Sequence, residues 1–99
     1  MGRKFHGYKM QISYDAEKRA WTLANRGLDF EDAVHVFAGN VITIEDDRTD
    51  YGETRYQTFG LLGDRLIALV WTPRGEARHI ISMRKTNDRE RRKYEAQLE

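Results

Sequence analysis

The sequence predicts an α+β fold: an antiparallel sheet with helices packed on one face, in the order β-α-α-β-β-β-β-α. Three observations lead there. Before Gly39, apolar residues recur at helical spacing, most clearly at Phe30, Ala33, Val34 and Phe37. From Val41 onward the pattern turns β-branched, with short turn signals at Gly63-Asp64 and Pro73-Arg74-Gly75-Glu76. Helices followed by hairpin-linked strands segregate to one side of an antiparallel sheet.

Each element has its own local cause. Met10 to Tyr14 alternates and is expected to form a short strand. Asp15 caps a helix running to Asn25, with Ala20, Trp21 and Ala24 on one face, and Gly27 ends it. Asp29 opens a second helix, with Asp32 at the reciprocal position of a capping box, and Gly39-Asn40 closes it. Val41 to Ile44 is a strand, and acidic Glu45 to Gly52 a connecting loop. Glu53 to Leu62 and Arg65 to Thr72 form a hairpin about Gly63-Asp64. Ala77 to Arg84 is the last strand. A charged helix from Asp88 follows, capped by Asn87 with Glu90, and Tyr94 and Leu98 fasten it to the body.

The chain has 99 residues, 39% of them hydrophobic and 33% charged, enough for one thin core. Residues 10–99 are expected to be a single domain, and 1–9 an added extension. With no cysteine, disulfides and thiolate zinc sites are excluded. The apolar run Leu66 to Trp71 is too short to cross a bilayer, and the basic start lacks the apolar stretch of a secretory signal. A cytoplasmic protein that meets no membrane is expected. The net charge of +1 conceals segregation. Residues 29–54 carry eight acids against Arg48 alone, while residues 74–99 carry eight basic and five acidic side chains. Such a division suits one surface for phosphates and another for a different partner.

The last strand holds the most chemistry. Strict alternation puts Arg78, Ile80, Ser82 and Arg84 on one face and His79, Ile81 and Met83 on the other. Two guanidinium groups and a hydroxyl on one face make a phosphate-binding surface. Glu53, Arg55, Gln57 and Phe59 share a face of their own strand and are expected to adjoin it. His6, His35 and His79 have no metal-ligand spacing, Asp46, Asp47 and Asp50 read as solvated loop acids, and no Gly-x-Ser-x-Gly elbow is present. No metal or cofactor is expected. His35 falls off the apolar stripe, and His79 is expected to point toward the core.

Three separated stretches together resemble one family. Tyr14-Asp-Ala-Glu-Lys18 with Arg26-Gly-Leu-Asp-Phe-Glu-Asp-Ala33 and Val36-Phe37 is similar to the opening of BrnT-type toxins. Asp47-Arg-Thr-Asp-Tyr-Gly-Glu-Thr-Arg55 followed by Gly60 resembles the middle motif. Arg78-His-Ile-Ile-Ser-Met-Arg84, Glu90-Arg91 and Tyr94 resemble the end. Arg26 stands where many members carry histidine.

The resemblance implies a RelE-like fold and a ribonuclease toxin of a type II toxin–antitoxin system. Such a toxin cleaves RNA, inhibits translation and is held in check by a cognate antitoxin. Metal-independent cleavage needs a proton acceptor for the 2′-hydroxyl, charge stabilisation at the phosphate and a proton donor to the leaving oxygen. Arg55, Arg78 and Arg84 are then expected on the phosphate, Glu53 as the base, and Tyr94 as a positioning group or donor. Ser82, Lys85 and Arg91 are expected to bind RNA. The implied partner is a BrnA-type ribbon-helix-helix antitoxin, two toxins joining one antitoxin dimer, with DNA contacted only through the antitoxin. A non-catalytic RNA- or protein-binding module, or a degenerate toxin serving only as co-repressor, remains the alternative from the residues alone.

Overall fold

The computed structural model describes residues 10–98, so the expected extension at 1–9 lies outside the described residues. The α+β class and the element order are as expected. Strand β1 (Gln11–Tyr14) leads to helix α1 (Ala16–Arg26), then a single 3₁₀ turn (Phe30–Asp32) running into helix α2 (Ala33–Ala38). Four strands follow, β2 (Val41–Glu45), β3 (Tyr56–Leu62), β4 (Arg65–Arg74) and β5 (Ala77–Lys85), and helix α3 (Asp88–Leu98) closes the chain. The sheet order is β1-β5-β4-β3-β2. All neighbours are antiparallel except β1, which runs parallel to β5.

Capping chemistry starts the helices largely where the sequence marks them. The Asp15 carboxylate accepts from the Glu17 and Lys18 amides at 2.9 and 3.1 Å, and Gly27 ends α1 at φ 68°, a left-handed conformation cheap only for glycine. Asn87 and Glu90 form the reciprocal box of α3, at 3.0 and 2.8 Å. The second start differs. Asp29 caps the Glu31 amide at 3.0 Å, but the Asp32 side chain makes no capping bond. Asp29 instead takes the Arg19 guanidinium through both oxygens, at 2.8 and 3.0 Å.

Helices cover both faces of the sheet, where one was expected. On the first face the 3₁₀ turn and α2 bury Phe30, Ala33 and Val36 against Ile67, Leu69, Ile80 and Met83. On the second, α3 brings Leu98 and Tyr94 onto Phe59, Leu66 and Ala68. Alternation along β4 produces this division, since Ile67 and Leu69 point one way and Leu66 and Ala68 the other. A central strand apolar on both sides needs two covers. Helix α1 is also unlike its expectation: Ala20, Trp21 and Ala24 are exposed, and Thr22 is the residue that is buried. No helix of the described residues is long and apolar enough to cross a membrane.

Candidate active site

Strand β5 does not alternate strictly. Val70 pairs with Ser82 and Trp71 with Ile80, so Ile81 is an extra residue, a β-bulge. The bulge reverses the phase of everything beyond it. Arg78 and Ile80 point to the first face, together with Met83 and Lys85, and His79 shares the second face with Ser82 and Arg84. The expected grouping of Arg78 with Ser82 and Arg84 is thereby corrected. So is the expectation that His79 faces the core.

Arg78 lies against aromatic rings on the first face, 4.4 Å from the Phe37 centroid and 5.2 Å from that of Trp71. Trp71 also meets Tyr56 at 4.9 Å and donates its indole N–H to the Thr58 hydroxyl at 2.8 Å. Lys85 is exposed at the end of β5 on the same side. Neither joins the surface that carries Ser82 and Arg84.

That surface is the half of the second face beyond the reach of α3. One border is the row Phe59, Ala68 and Arg84, side by side on three strands. Tyr94 of α3 stacks on Phe59 at 4.3 Å and 24°. Arg84 is held by α3 as well, giving Glu90 a two-pronged contact at 2.9 and 2.8 Å. Glu90 is accordingly held below the usual carboxylate range, chiefly by that guanidinium. A third contact from Arg84 reaches the Lys85 carbonyl at 3.3 Å. Guanidinium carries five N–H donors, so donors remain for an incoming anion. The next row on the face is Gln57, Val70 and Ser82, all half-buried.

The opposite border is the loop from 46 to 55, which includes the expected start of the third strand. Glu53 and Arg55 therefore sit on a loop, since β3 begins at Tyr56. The loop is closed by the Asp46 amide donating to the Arg55 carbonyl at 2.8 Å, and Thr72 donates its hydroxyl to the Thr54 carbonyl at 2.7 Å. Asp46 is not a solvated acid. It is buried and takes the Arg48 guanidinium at 2.7 and 2.8 Å, which pulls its pKa down. Asp47 and Asp50 are exposed. Glu53 accepts from Arg55 at 3.0 Å and lies 3.6 Å from Arg74, and the Arg55 guanidinium rests 4.1 Å from the Tyr51 centroid.

His79 sits between these borders, half-buried, with Nδ1 2.9 Å from Ser13 Oγ of the parallel strand β1. Burial, and next the positive charge of Arg74, push its pKa below the usual histidine value. A neutral imidazole at pH 7, tethered by one nitrogen, keeps the other for proton transfer. Arg91 lies on α3 and pairs with Asp88. Thus Ser82 and Arg84 are on the open face, Glu53 and Arg55 on its loop rim, and Tyr94 on its helical rim. His79 is the candidate that alternation missed. Its only sequence signal was an ionisable residue beside Arg78 in the most polar strand.

Among the described residues no group of His, Asp or Glu side chains is placed to hold a metal ion. Residues 14–90 match a family described as the ribonuclease toxin, BrnT, of a type II toxin–antitoxin system. No curated protein matches the chain.

Proposed function

Since this chain belongs to the BrnT family of ribonuclease toxins of type II toxin–antitoxin systems, we propose that it cleaves single-stranded RNA without a metal, on the sheet face between α3 and the 46–55 loop. The observation that carries the proposal is the bulge-dependent grouping of His79, Ser82 and Arg84 on the second face, from the edge that α3 holds at Arg84 to the part it leaves open. Arg84, oriented by Glu90, holds the scissile phosphate, and Ser82 adds a neutral donor beside it. Arg55, on the rim, binds an adjoining phosphate. His79 accepts the proton of the 2′-hydroxyl through Nε2 while Nδ1–H is donated to Ser13 Oγ. The hydroxyl oxygen attacks phosphorus, the bond to the 5′-oxygen breaks, and a 2′,3′-cyclic phosphate remains. Glu53 is a weaker base, because Arg55 and Arg74 already occupy its oxygens. Tyr94 lines the helical rim as the candidate donor to the leaving oxygen. Arg78, Lys85 and Arg91 contact outlying backbone at most.

Translation inhibition follows if messenger RNA is the substrate. We further propose that a BrnA-type ribbon-helix-helix antitoxin neutralises the chain by covering this face. Its dimer would bind two toxins and make all DNA contacts.

The deciding experiment combines induced expression, with and without the neighbouring gene product, and cleavage of RNA by the purified chain in excess chelator. Growth arrest rescued by the neighbour, with cyclic phosphate ends on the products, is expected. Arg84→Ala should lower the cleavage rate about 10²–10³-fold, and His79→Asn about 10²–10⁴-fold, with both variants still folded. Full cleavage by both variants would overturn the assignment of this face. Salt-sensitive RNA binding without cleavage at any protein concentration would instead favour a non-catalytic binding module.

A further inference from the structure

Helix α1 turns its largest apolar side chains outward. Trp21 is 53% exposed and Leu23 47%, while Thr22 is buried. Beside Trp21 runs a cleft of about 210 Å³ lined by Lys18, Trp21, Thr22, Arg26, Ile81 and Ser82. Two features of the fold open it. β1 stops at Tyr14, opposite Ile80, so it offers β5 no pairing from Ile81 onward. The bulge then brings Ile81 itself into the lining. Arg26 makes the wall firm: it donates to the Met83 carbonyl at 2.9 Å and lies 5.2 Å from the Trp21 ring centroid.

We propose that this cleft receives one unstacked base of single-stranded RNA, stacked on Trp21; the proposal rests on the ribonuclease assignment above. An aromatic platform accepts any base because every base has a π-face. Lys18 and Arg26 flank the platform with positive charge, which suits a phosphodiester backbone. Ser82 lines the cleft and also belongs to the face that carries His79 and Arg84. A base in the cleft and a phosphate at Arg84 are thus neighbours on one strand, and the cleft sets which nucleotide enters beside the bond that breaks.

The test measures binding of the full chain to a non-cleavable 2′-O-methyl hexanucleotide, intact and with an abasic position moved along it. Trp21→Ala should weaken binding of the intact strand roughly 10- to 100-fold, Trp21→Phe much less. At one abasic position the wild-type chain should fall to the level of Trp21→Ala, and the variant should lose nothing more, because two deletions of one contact do not add. Equal binding by wild type and Trp21→Ala overturns the cleft alone, provided the wild type cleaves RNA. A wild type that neither binds nor cleaves RNA overturns both proposals. Loss that is the same at every abasic position, or loss of antitoxin affinity with RNA binding intact, also overturns the cleft and assigns Trp21 to another role.

Discussion

Gly60 illustrates how far one residue governs the packing of this protein. A Cβ built there would stand 2.7 Å from Val36 Cγ1 and 2.9 Å from Val41 Cγ1, so α2 can lie on β3 only if position 60 has no side chain. Gly60→Ala is expected to destabilise the fold by about 1–3 kcal/mol, lowering the melting temperature by at least about 4 °C. An unchanged melting curve would mean that α2 moves aside freely. Such a constraint is hidden from the sequence, where Gly60 follows Phe59 in an otherwise ordinary strand. The role of Asp46 is hidden too: its acidic neighbours suggest a solvated loop, yet it is buried where its amide closes the loop onto the Arg55 carbonyl, nine residues on. Capping residues are different. Asp15 and Asn87 act on amides two or three positions away, so their work is written locally and is readable.

At the scale of elements, existence was legible and phase was not. Periodicity finds α2 and the strands, because burying one side of an element imposes its own repeat on the chain, while α1 and α3 are found by their caps at Asp15 and Asn87. The alternation of Ala77 to Arg84 looks unbroken, however, because Ile80 and Ile81 are equally good β-formers and either can be the extra residue. Only the partner strand decides, through the pairing of Trp71 with Ile80 and of Val70 with Ser82. That single offset moves Arg78 among aromatic rings and brings His79 beside Ser82 and Arg84. The early part of the expected third strand fails for another reason. Thr54 and Arg55 give their carbonyls to the Thr72 hydroxyl and the Asp46 amide, bonds that depend on residues far along the chain. The parallel pairing of β1 with β5 is likewise a tertiary fact.

For the molecule as a whole, acid stability should decline in two stages. His79 has a pKa pushed below its ordinary value by burial, so the stability it contributes is complete above the unfolded pKa of about 6.5 and is lost as pH falls through the folded value. Glu90, Asp29 and Asp46 are all lowered, each chiefly by a paired arginine. Their contributions are complete above about pH 4 and vanish at still lower pH. Chemical denaturation across pH should show both stages, and His79→Asn should abolish the first alone; a first stage that survives in this variant would exclude His79 as its source. The two-sided sheet also has a consequence for the length of the chain. Without Ile81, Ile80 would still oppose Trp71 and Ser82 would still oppose Val70, so each later side chain would keep its side. A one-residue deletion at 81 is therefore expected to leave a folded protein with a straighter strand, measurable as a cooperative melt, whereas losing Leu69 would send Ala68 and its predecessors to the wrong layers. The molecule thus carries a spare residue in its backbone, one whose loss spares the layering of the sheet and falls on the Trp21 cleft.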